Sequence, residues 1–131
     1  MERIRQKIGR IKEHFASIPE LELAILIGSQ ASGKATPQSD WDIAIQWVRD
    51  LSFLGQLAAA EKLRKDLSEV LGLPVRSIEL IDLPTARLTM RAVVAEEGIV
   101  LKGDGSLSWH RFLQRTWREL EEYYWEQTYA A

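Results

Sequence analysis

The sequence predicts an α/β (α+β) protein in which a small mixed β-sheet is flanked by helices. Short apolar runs typical of strands alternate with longer segments whose apolar residues recur at helical spacing, in the order αβ(α)βαβαβα. No internal repeat, low-complexity tract or linker divides the 131 residues. We therefore expect a single domain over residues 1–131.

The N-terminal part of the chain predicts a helix, two strands and a polar loop. Residues 22–28, ELAILIG, form a short apolar run typical of a buried strand. The small polar residues that follow predict a loop, with one helical turn at residues 29–32. Residues 40–48, DWDIAIQWV, alternate in polarity and predict a half-buried strand. Four apolar residues at helical spacing predict the amphipathic first helix: Ile4, Ile8, Ile11 and Phe15.

The rest of the chain predicts three helices and two strands. Ser52 is a suitable N-cap for a helix over residues 53–71, and Gly72 ends it. Residues 75–83 predict a third strand, and Ser108 is the predicted cap of a last helix that reaches about Tyr124. Between them we expect a helix over 85–97 closed by Gly98, a strand over 99–102 and a turn at 103–105.

Composition and charge exclude several functional classes. The chain is 46% hydrophobic and 27% charged with a net charge of −2, and its Lys and Arg residues are scattered, which argues against direct nucleic-acid binding. Cysteine is absent, which excludes disulfides, thiolate metal sites and a Cys nucleophile. The charged N-terminus is unlike a signal peptide, and no apolar run approaches the roughly 20 residues of a membrane span. We expect a soluble cytoplasmic protein.

Two carboxylates open the second predicted strand. Asp40 and Asp42 are two residues apart, so their side chains are expected on one face of that strand. Ionised carboxylates in this arrangement repel each other unless a cation compensates. Mg²⁺ suits them because it takes hard oxygen ligands and is commonly held by one or two carboxylates together with substrate phosphates.

A Gly-Ser pair follows the first predicted strand. Gly28 allows a sharp turn, and the Ser29 hydroxyl with the N–H groups after it can bind phosphate oxygens. Each feature alone is common in proteins of unrelated function. The joint pattern of strand, Gly-Ser, small polar loop and D-x-D is far more specific, and it predicts a site for metal and phosphate.

Residues 28–45, GSQASGKATPQSDWDIAI, resemble the G-S-x10-D-x-D signature of the DNA polymerase beta-type nucleotidyltransferase superfamily. Among its members the short chain is similar to the minimal nucleotidyltransferases of the MntA type, antitoxins encoded beside HEPN-domain toxins. The resemblance extends over about residues 22–104. It implies the polymerase beta-like fold and Mg²⁺-dependent transfer of a nucleoside monophosphate to a hydroxyl. It also implies that Gly28 and Ser29 bind the triphosphate and that Asp40 and Asp42 coordinate two Mg²⁺ ions.

The superfamily adds a third carboxylate on a neighbouring strand, where it ligates the second metal and helps to deprotonate the attacking hydroxyl. Glu79 in SIELIDL matches this position, which the family usually fills with Asp. The side chain is one methylene longer, so it can still reach a metal. Asp82 is three residues further on and therefore on the opposite strand face, where we interpret it as a residue approaching a helix before Pro84.

Other polar candidates carry weaker signals. Ser39 either contacts a phosphate or ends the loop before the Asp pair. Lys34 and Lys102 have the charge to meet a phosphate, although a solvated lysine is the default. His14 and His110 fall on predicted helices and are interpreted as surface or hydrogen-bonded residues.

Aromatic residues are concentrated in the last predicted helix. Six apolar residues there share one stripe, which usually faces a core: Trp109, Phe112, Leu113, Trp117, Leu120 and Tyr124. Tyr123, Trp125 and Tyr129 fall off the stripe, and they form either a partner surface or a contact with the first helix.

The leading hypothesis is an enzyme. The resemblance implies an antitoxin that transfers AMP from ATP to a hydroxyl, specifically a tyrosine, of its cognate HEPN RNase toxin, in a hetero-oligomer with that toxin. One alternative is a non-catalytic antitoxin that occludes the toxin, which the Glu at position 79 keeps open. Another is a small-molecule, antibiotic-type nucleotidyltransferase that works as a dimer.

Overall fold

A computed structural model of the chain describes residues 3–129. Five α-helices lie in this range: α1 (Ile4–Ala16), α2 (Ser29–Ser32), α3 (Phe53–Leu71), α4 (Leu88–Glu97) and α5 (Leu107–Tyr129). Four strands alternate with them: β1 (Leu21–Ile27), β2 (Trp41–Trp47), β3 (Ile78–Asp82) and β4 (Ile99–Lys102). Two 3₁₀ turns, Val75–Ser77 and Leu83–Thr85, flank β3. The predicted α/β class with a mixed sheet flanked by helices is confirmed.

The four strands form one sheet in the order β3-β2-β1-β4. β1 is antiparallel to both β2 and β4, whereas β2 and β3 are parallel and are connected through α3. Ile27 at the end of β1 pairs with Asp42 near the start of β2, and Asp42 pairs with Glu79 near the start of β3. The register therefore brings the Gly-Ser turn and two carboxylates to the same end of three adjacent strands.

Apolar side chains cover both faces of this sheet. One core cluster contains Ile11 and Phe15 of α1 and Leu63 and Leu67 of α3, packed with Ile43 of β2. The opposite cluster joins the other faces of β1 and β2 to side chains of α4 and α5: Leu23, Ile25, Ile27, Ala44, Leu83, Val94 and Phe112. The alternation in β2 predicted a half-buried strand, but Ala44 is buried, so β2 contributes to both clusters.

Capping residues and short sequence patterns predicted the bounds of several elements correctly. α3 begins after Ser52, whose hydroxyl accepts a hydrogen bond from the Gly55 N–H at 3.0 Å, and it ends at Gly72, where φ is 67°. β4 also has its predicted bounds. None of the helices within residues 3–129 has the length and apolar character needed to cross a membrane.

Element boundaries near the site differ from the prediction. β2 begins at Trp41 rather than at residue 40, because its first pairing partner is Ile78, where β3 begins, and β1 offers no partner before Asp42. The third strand is shorter than residues 75–83, since 3₁₀ turns occupy both of its predicted ends. α4 begins at Leu88 rather than at residue 85, after the second of these turns.

The last helix corrects two predictions. Ser106, not Ser108, acts at its start, where its hydroxyl accepts a hydrogen bond from the Trp109 N–H at 3.1 Å. The helix runs to Tyr129, and the predicted core stripe fails along its second half, where Trp117 and Tyr124 are exposed. The residues off the stripe are exposed as well: Tyr123, Trp125 and Tyr129. Only the first half of the 23-residue helix lies over the shorter α4 and the sheet.

An ion pair anchors the middle of α5. Arg91 of α4 is buried, and its guanidinium donates a hydrogen bond to the Glu119 carboxylate of α5 and, through Nε, to the Ala86 carbonyl at 3.2 Å. The Arg91 contact lowers the pKa of Glu119 below its ordinary value. The pair fixes α5 on the face of the sheet opposite α1 and α3.

Candidate active site

Gly28 forms a turn that only glycine accommodates. Its φ of 76° and ψ of −157° lie in a region that is essentially restricted to glycine. A Cβ added there would lie 2.6 Å from Oδ2 of Asp42, closer than real Cβ contacts. The turn thus passes directly beside the Asp42 carboxylate, and any side chain at position 28 would displace one of the two.

The loop between β1 and β2 is braced from within. Gln30, in the single turn of α2, is buried, and its Nε2 donates to the Ser39 carbonyl at 3.4 Å. The Ser39 hydroxyl accepts a hydrogen bond from the Thr36 N–H at 2.8 Å. This hydrogen bond shows that Ser39 helps to end the loop, and its predicted contact with a phosphate stays a prediction. Gln30 was not predicted, although a polar residue directly after Gly-Ser is a usable signal.

Three carboxylates meet at the end of β2 and β3. Burial raises the pKa of Asp42 to about 6, and a side-chain hydrogen bond with Glu79 and the negative charges of Glu79 and Asp40 act in the same direction. Asp42 is half-buried, whereas Asp40 and Glu79 are exposed. Asp40 and Glu79 therefore each interact with Asp42, so the three side chains chosen from the sequence form one cluster centred on Asp42.

The carboxylate oxygens of this cluster are suitable ligands for a hard divalent cation. Within residues 3–129 no group of three or more His, Cys, Asp or Glu side chains is arranged to enclose a metal ion. Magnesium does not require such a cage, because one or two carboxylates plus substrate phosphates commonly hold it. Burial is the largest cause of the raised pKa of Asp42, and the nearby charges of Glu79 and Asp40 add to it, so a cation bound between these carboxylates would offset an unfavourable arrangement. The oxygen-only set therefore fits Mg²⁺.

Asp82 lies apart from these carboxylates. It pairs with Ile45, three positions along the parallel register from the Asp42–Glu79 pair, so its side chain leaves the opposite face of β3. Its Oδ2 accepts a hydrogen bond from the Thr85 hydroxyl at 2.7 Å, which braces the 3₁₀ turn around Pro84. The structure thus separates Asp82 from the site.

The remaining polar candidates are also distant or structural. His14 lies 3.4 Å from the Asp66 carboxylate, and His110 is exposed on α5. Lys102 belongs to the opposite sheet edge, where it donates to the Ile18 carbonyl and burial lowers its pKa. Lys34 is exposed in the β1–β2 loop, the one of these four residues near the Gly-Ser turn.

A cleft opens beside the carboxylates, between β3 and α3. Its volume is about 380 Å³, and Asp40, Glu79, Glu61, Arg64 and Arg76 contribute charged side chains to its lining. The two arginines were not predicted. They are 12 positions apart in the sequence, and only the packing of α3 against the edge strand brings them to one cleft with Asp40 and Glu79.

The fold and the position of these residues agree with one family. Residues 9–105 match the family model described as polymerase beta, nucleotidyltransferase. The chain belongs to this family. The matched range contains the Gly28 turn, all three carboxylates and both arginines of the cleft, so the predicted superfamily and its nucleotidyltransferase fold are confirmed.

Solved structures share this nucleotidyltransferase fold. A chain of a toxin–antitoxin crystal structure with AMP-PNP is 24% identical, with a TM-score of 0.66 over 94% of this chain and 91% of that one. A chain of a tri-AMPylated Shewanella oneidensis HEPN toxin in complex with its MNT antitoxin is 21% identical, with a TM-score of 0.65 over 96% and 93%. A chain of the MntA–HepT toxin–antitoxin is 22% identical, with a TM-score of 0.64 over 95% and 92%. No curated protein is significantly similar in sequence.

Proposed function

We propose that residues 1–131 form a single minimal nucleotidyltransferase domain that acts as an antitoxin. It transfers AMP from ATP to a tyrosine hydroxyl of a cognate HEPN-domain toxin, with which it forms a hetero-complex. The observation that carries the proposal is the contact between Gly28 and Asp42: the glycine turn of β1 lies against the central carboxylate of β2, next to Glu79. Such a turn allows a phosphate chain to approach the carboxylates closely.

The donor nucleotide would bind at the Gly28–Ser29 turn. Because Gly28 has no side chain, the turn lies directly against the Asp42 carboxylate, so a phosphate bound at the turn would be next to that carboxylate. The Ser29 hydroxyl and nearby N–H groups supply donors to the triphosphate oxygens. Gln30 and Ser39 keep the loop in place through their hydrogen bonds and so position the turn, and Ser39 would also lie close enough in sequence to Asp40 to meet a phosphate.

Asp40, Asp42 and Glu79 would hold two Mg²⁺ ions. Bound there with the triphosphate, the ions neutralise its charge and stabilise the charge that develops during the displacement. Asp42 lies beside the Gly28 turn and interacts with Glu79 and Asp40, so it would be the central ligand of the set. Burial is the largest cause of the raised pKa of Asp42, and a bound cation would offset both that burial and the repulsion from Glu79 and Asp40.

The transfer is a displacement at the α-phosphorus. The acceptor oxygen forms a bond to this phosphorus, the bond to the bridging oxygen of the β-phosphate breaks, and pyrophosphate leaves. The hydroxyl proton passes to a base, for which Glu79 is the suited group because it is exposed at the edge of the carboxylate cluster. The products are an AMP ester of the acceptor, pyrophosphate and a proton.

The partner is inferred from the neighbouring structures. Several of the structures with this fold are toxin–antitoxin complexes, one of them with an AMPylated HEPN toxin and another with AMP-PNP. The exposed aromatic residues on the second half of α5 offer this chain a surface for such a partner, since Trp and Tyr are favoured anchors at protein interfaces.

A specific observation keeps the occluding antitoxin as the second candidate. The three carboxylates are not arranged around a single point in the described part of the chain, and the third of them is the longer Glu79. An antitoxin that acts by binding alone would retain the exposed α5 surface without needing this site. The two candidates differ in whether the toxin gains mass.

The test is incubation of the purified chain and its genetically adjacent toxin with labelled ATP and Mg²⁺, followed by intact mass measurement of both chains. We expect the toxin to gain one or more AMP masses and the antitoxin to gain none. The same reaction without Mg²⁺ is the control. Neutralisation of the toxin RNase without any gain of mass would establish the occluding antitoxin instead.

A further inference from the structure

The functional groups of this site are laid out in a line across the sheet. The Gly28 turn ends β1, Asp42 belongs to the next strand β2, and Glu79 belongs to the edge strand β3. In a phosphoryl or nucleotidyl displacement the attacking and leaving oxygens lie on opposite sides of the phosphorus. With the pyrophosphate toward Gly28, the acceptor hydroxyl must enter from the β3 side.

The cleft between β3 and α3 lies on that side. Glu79 and Asp40 form its border with the carboxylate cluster, and its volume of about 380 Å³ suits a side chain or a nucleoside fragment. Whatever is attached to the acceptor hydroxyl must occupy this space or pass through it. The charges of the cleft therefore bear on which acceptors can react.

Most of those charges already have partners. Arg64 is tied to its surroundings: its Nε donates to the Ile78 carbonyl at 3.3 Å, and its Nη1 lies 3.3 Å from Glu61. Asp40 and Glu79 are assigned to the cations of the proposed site. Arg76 lies in the 3₁₀ turn before β3, is exposed, and forms no ion pair within residues 3–129. With the site loaded, Arg76 is the uncompensated charge of the cleft.

We infer that this cleft is the acceptor subsite and that Arg76 binds an anionic group placed next to the acceptor hydroxyl. The inference rests on the proposed function and names the chemistry of its acceptor. A guanidinium binds carboxylate and phosphate in the same two-pronged manner. The anion therefore has two sources: an acidic side chain beside the acceptor tyrosine, or the phosphodiester of an AMP that has already been transferred.

In the second case, a ribose hydroxyl of the attached AMP becomes the next acceptor, and Arg76 holds the phosphate behind it. Each further transfer then follows the same reaction as the first: one ester bond forms to the α-phosphorus and one pyrophosphate is released. Arg64 remains a positioning residue, because its hydrogen bonds hold the Val75–Ser77 turn against α3.

The first experiment measures anion binding without transfer. The donor site is saturated with AMP-PNP and Mg²⁺, and equilibrium dialysis follows labelled AMP as the probe for the second site. We expect Arg76→Ala to weaken AMP binding about tenfold, the order of a charge-assisted hydrogen bond. Arg76→Lys should lose less AMP affinity, because lysine keeps the positive charge but cannot form the two parallel hydrogen bonds of a guanidinium. The matched control is Arg49→Ala, an exposed arginine outside the cleft.

AMP that fails to bind beside AMP-PNP, or that binds equally to the wild type and Arg76→Ala, would overturn the inference. This result does not depend on whether the toxin is a substrate, so it is separable from a failure of the proposed function.

The second experiment identifies the source of the anion by following the intact mass of the toxin over time. If Arg76→Ala slows the first transfer, the anion is an acidic side chain of the acceptor. If the first transfer is unchanged and later ones are slowed, it is the phosphodiester of attached AMP. Equal rates at every step in Arg76→Ala and Arg49→Ala would contradict a role for Arg76. A wild type that transfers nothing refutes the proposed function, and the dialysis result alone then decides the inference.

Discussion

Asp42 and Glu79 face each other across the parallel pair β2–β3, and a hydrogen bond between their carboxyl groups helps to raise the pKa of Asp42 to about 6. A buried apolar pair at this position would stabilise the sheet, whereas two acids here oppose folding once both are ionised. The Asp42–Glu79 pair therefore lowers the stability of the fold unless a proton or a cation offsets its charge. Such a pair is typical of a site selected for binding.

The first prediction concerns stability against pH. Because the native pKa of Asp42 is raised from 3.8 to about 6, the native state holds a proton that the unfolded state loses, so wild-type stability should fall as pH rises through this window. Asp42→Asn removes this titrating group. At pH 7.5 its free energy of unfolding should exceed that of the wild type by about 1 kcal/mol, after allowance for solvent screening. Chemical denaturation in EDTA at pH 4 and 7.5 measures it.

The matched control for this change is Asp50→Asn, an exposed aspartate in the turn after β2. It should leave stability unchanged at both pH values. A lower stability of Asp42→Asn at pH 7.5 would mean that Asp42 stabilises the fold and that the carboxylate repulsion is not its dominant interaction.

The second prediction concerns the Gly28 turn. It separates the cost of a strained backbone from the cost of a clash with Asp42. Gly28→Ala places a Cβ 2.6 Å from Oδ2 of Asp42, whereas Gly33→Ala meets nothing within 4 Å although φ is 78° there. Gly33→Ala should cost about 1 kcal/mol, and Gly28→Ala at least twice that. Only Gly28→Ala should lose ATP affinity, as measured by titration calorimetry. Equal ATP affinity in both variants would exclude the turn as the phosphate site.

A third prediction concerns the attachment of α5. Glu119→Ala leaves the buried Arg91 guanidinium without its carboxylate and should destabilise the protein by about 2–3 kcal/mol. Glu121→Ala, on the exposed side of the same helix, is the control and should change stability by less than about 0.5 kcal/mol. Urea denaturation of both variants tests this. A similar small effect in both would show that packing alone holds α5.

The fourth prediction distinguishes the two acids of β3. Glu79→Gln should slow AMP transfer at least about 100-fold if Glu79 accepts the proton, the lower end of general-base catalysis. Asp82→Asn should change the rate little, because Asp82 binds the Thr85 hydroxyl on the other face. Single-turnover modification of the toxin, read by mass spectrometry, gives both rates. If Asp82→Asn transferred AMP slowly and Glu79→Gln transferred it at the wild-type rate, Asp82 and not Glu79 would be the base.

Features encoded by neighbouring residues were predictable from the sequence. The bounds of α3 follow from the Ser52 cap and the Gly72 stop, which act within a few residues of the helix ends. The Gly-Ser turn and the D-x-D pair are likewise contiguous motifs. The match of Asp42 with Glu79 required the family resemblance, because 37 positions separate them and only strand pairing joins them.

Features that depend on tertiary packing were not predictable. β2 starts at Trp41 because β3 begins at its partner Ile78, which the alternating pattern cannot reveal. Trp117 and Tyr124 share a helical stripe with the buried Phe112, but the stripe extends past the elements that could cover it. The arginine cleft beside Glu79 exists only once α3 has packed on the edge strand.

The central claim is that Asp40, just before β2, and Asp42 within it enable AMP transfer to the toxin. The most direct test is single-turnover transfer by the double variant Asp40→Asn with Asp42→Asn. With toxin, ATP and Mg²⁺, the wild type should add AMP to the toxin. The double variant should add none, while circular dichroism and toxin binding remain those of wild type, since removing two like charges leaves the cores intact. Transfer at near wild-type rate by the double variant would contradict the account.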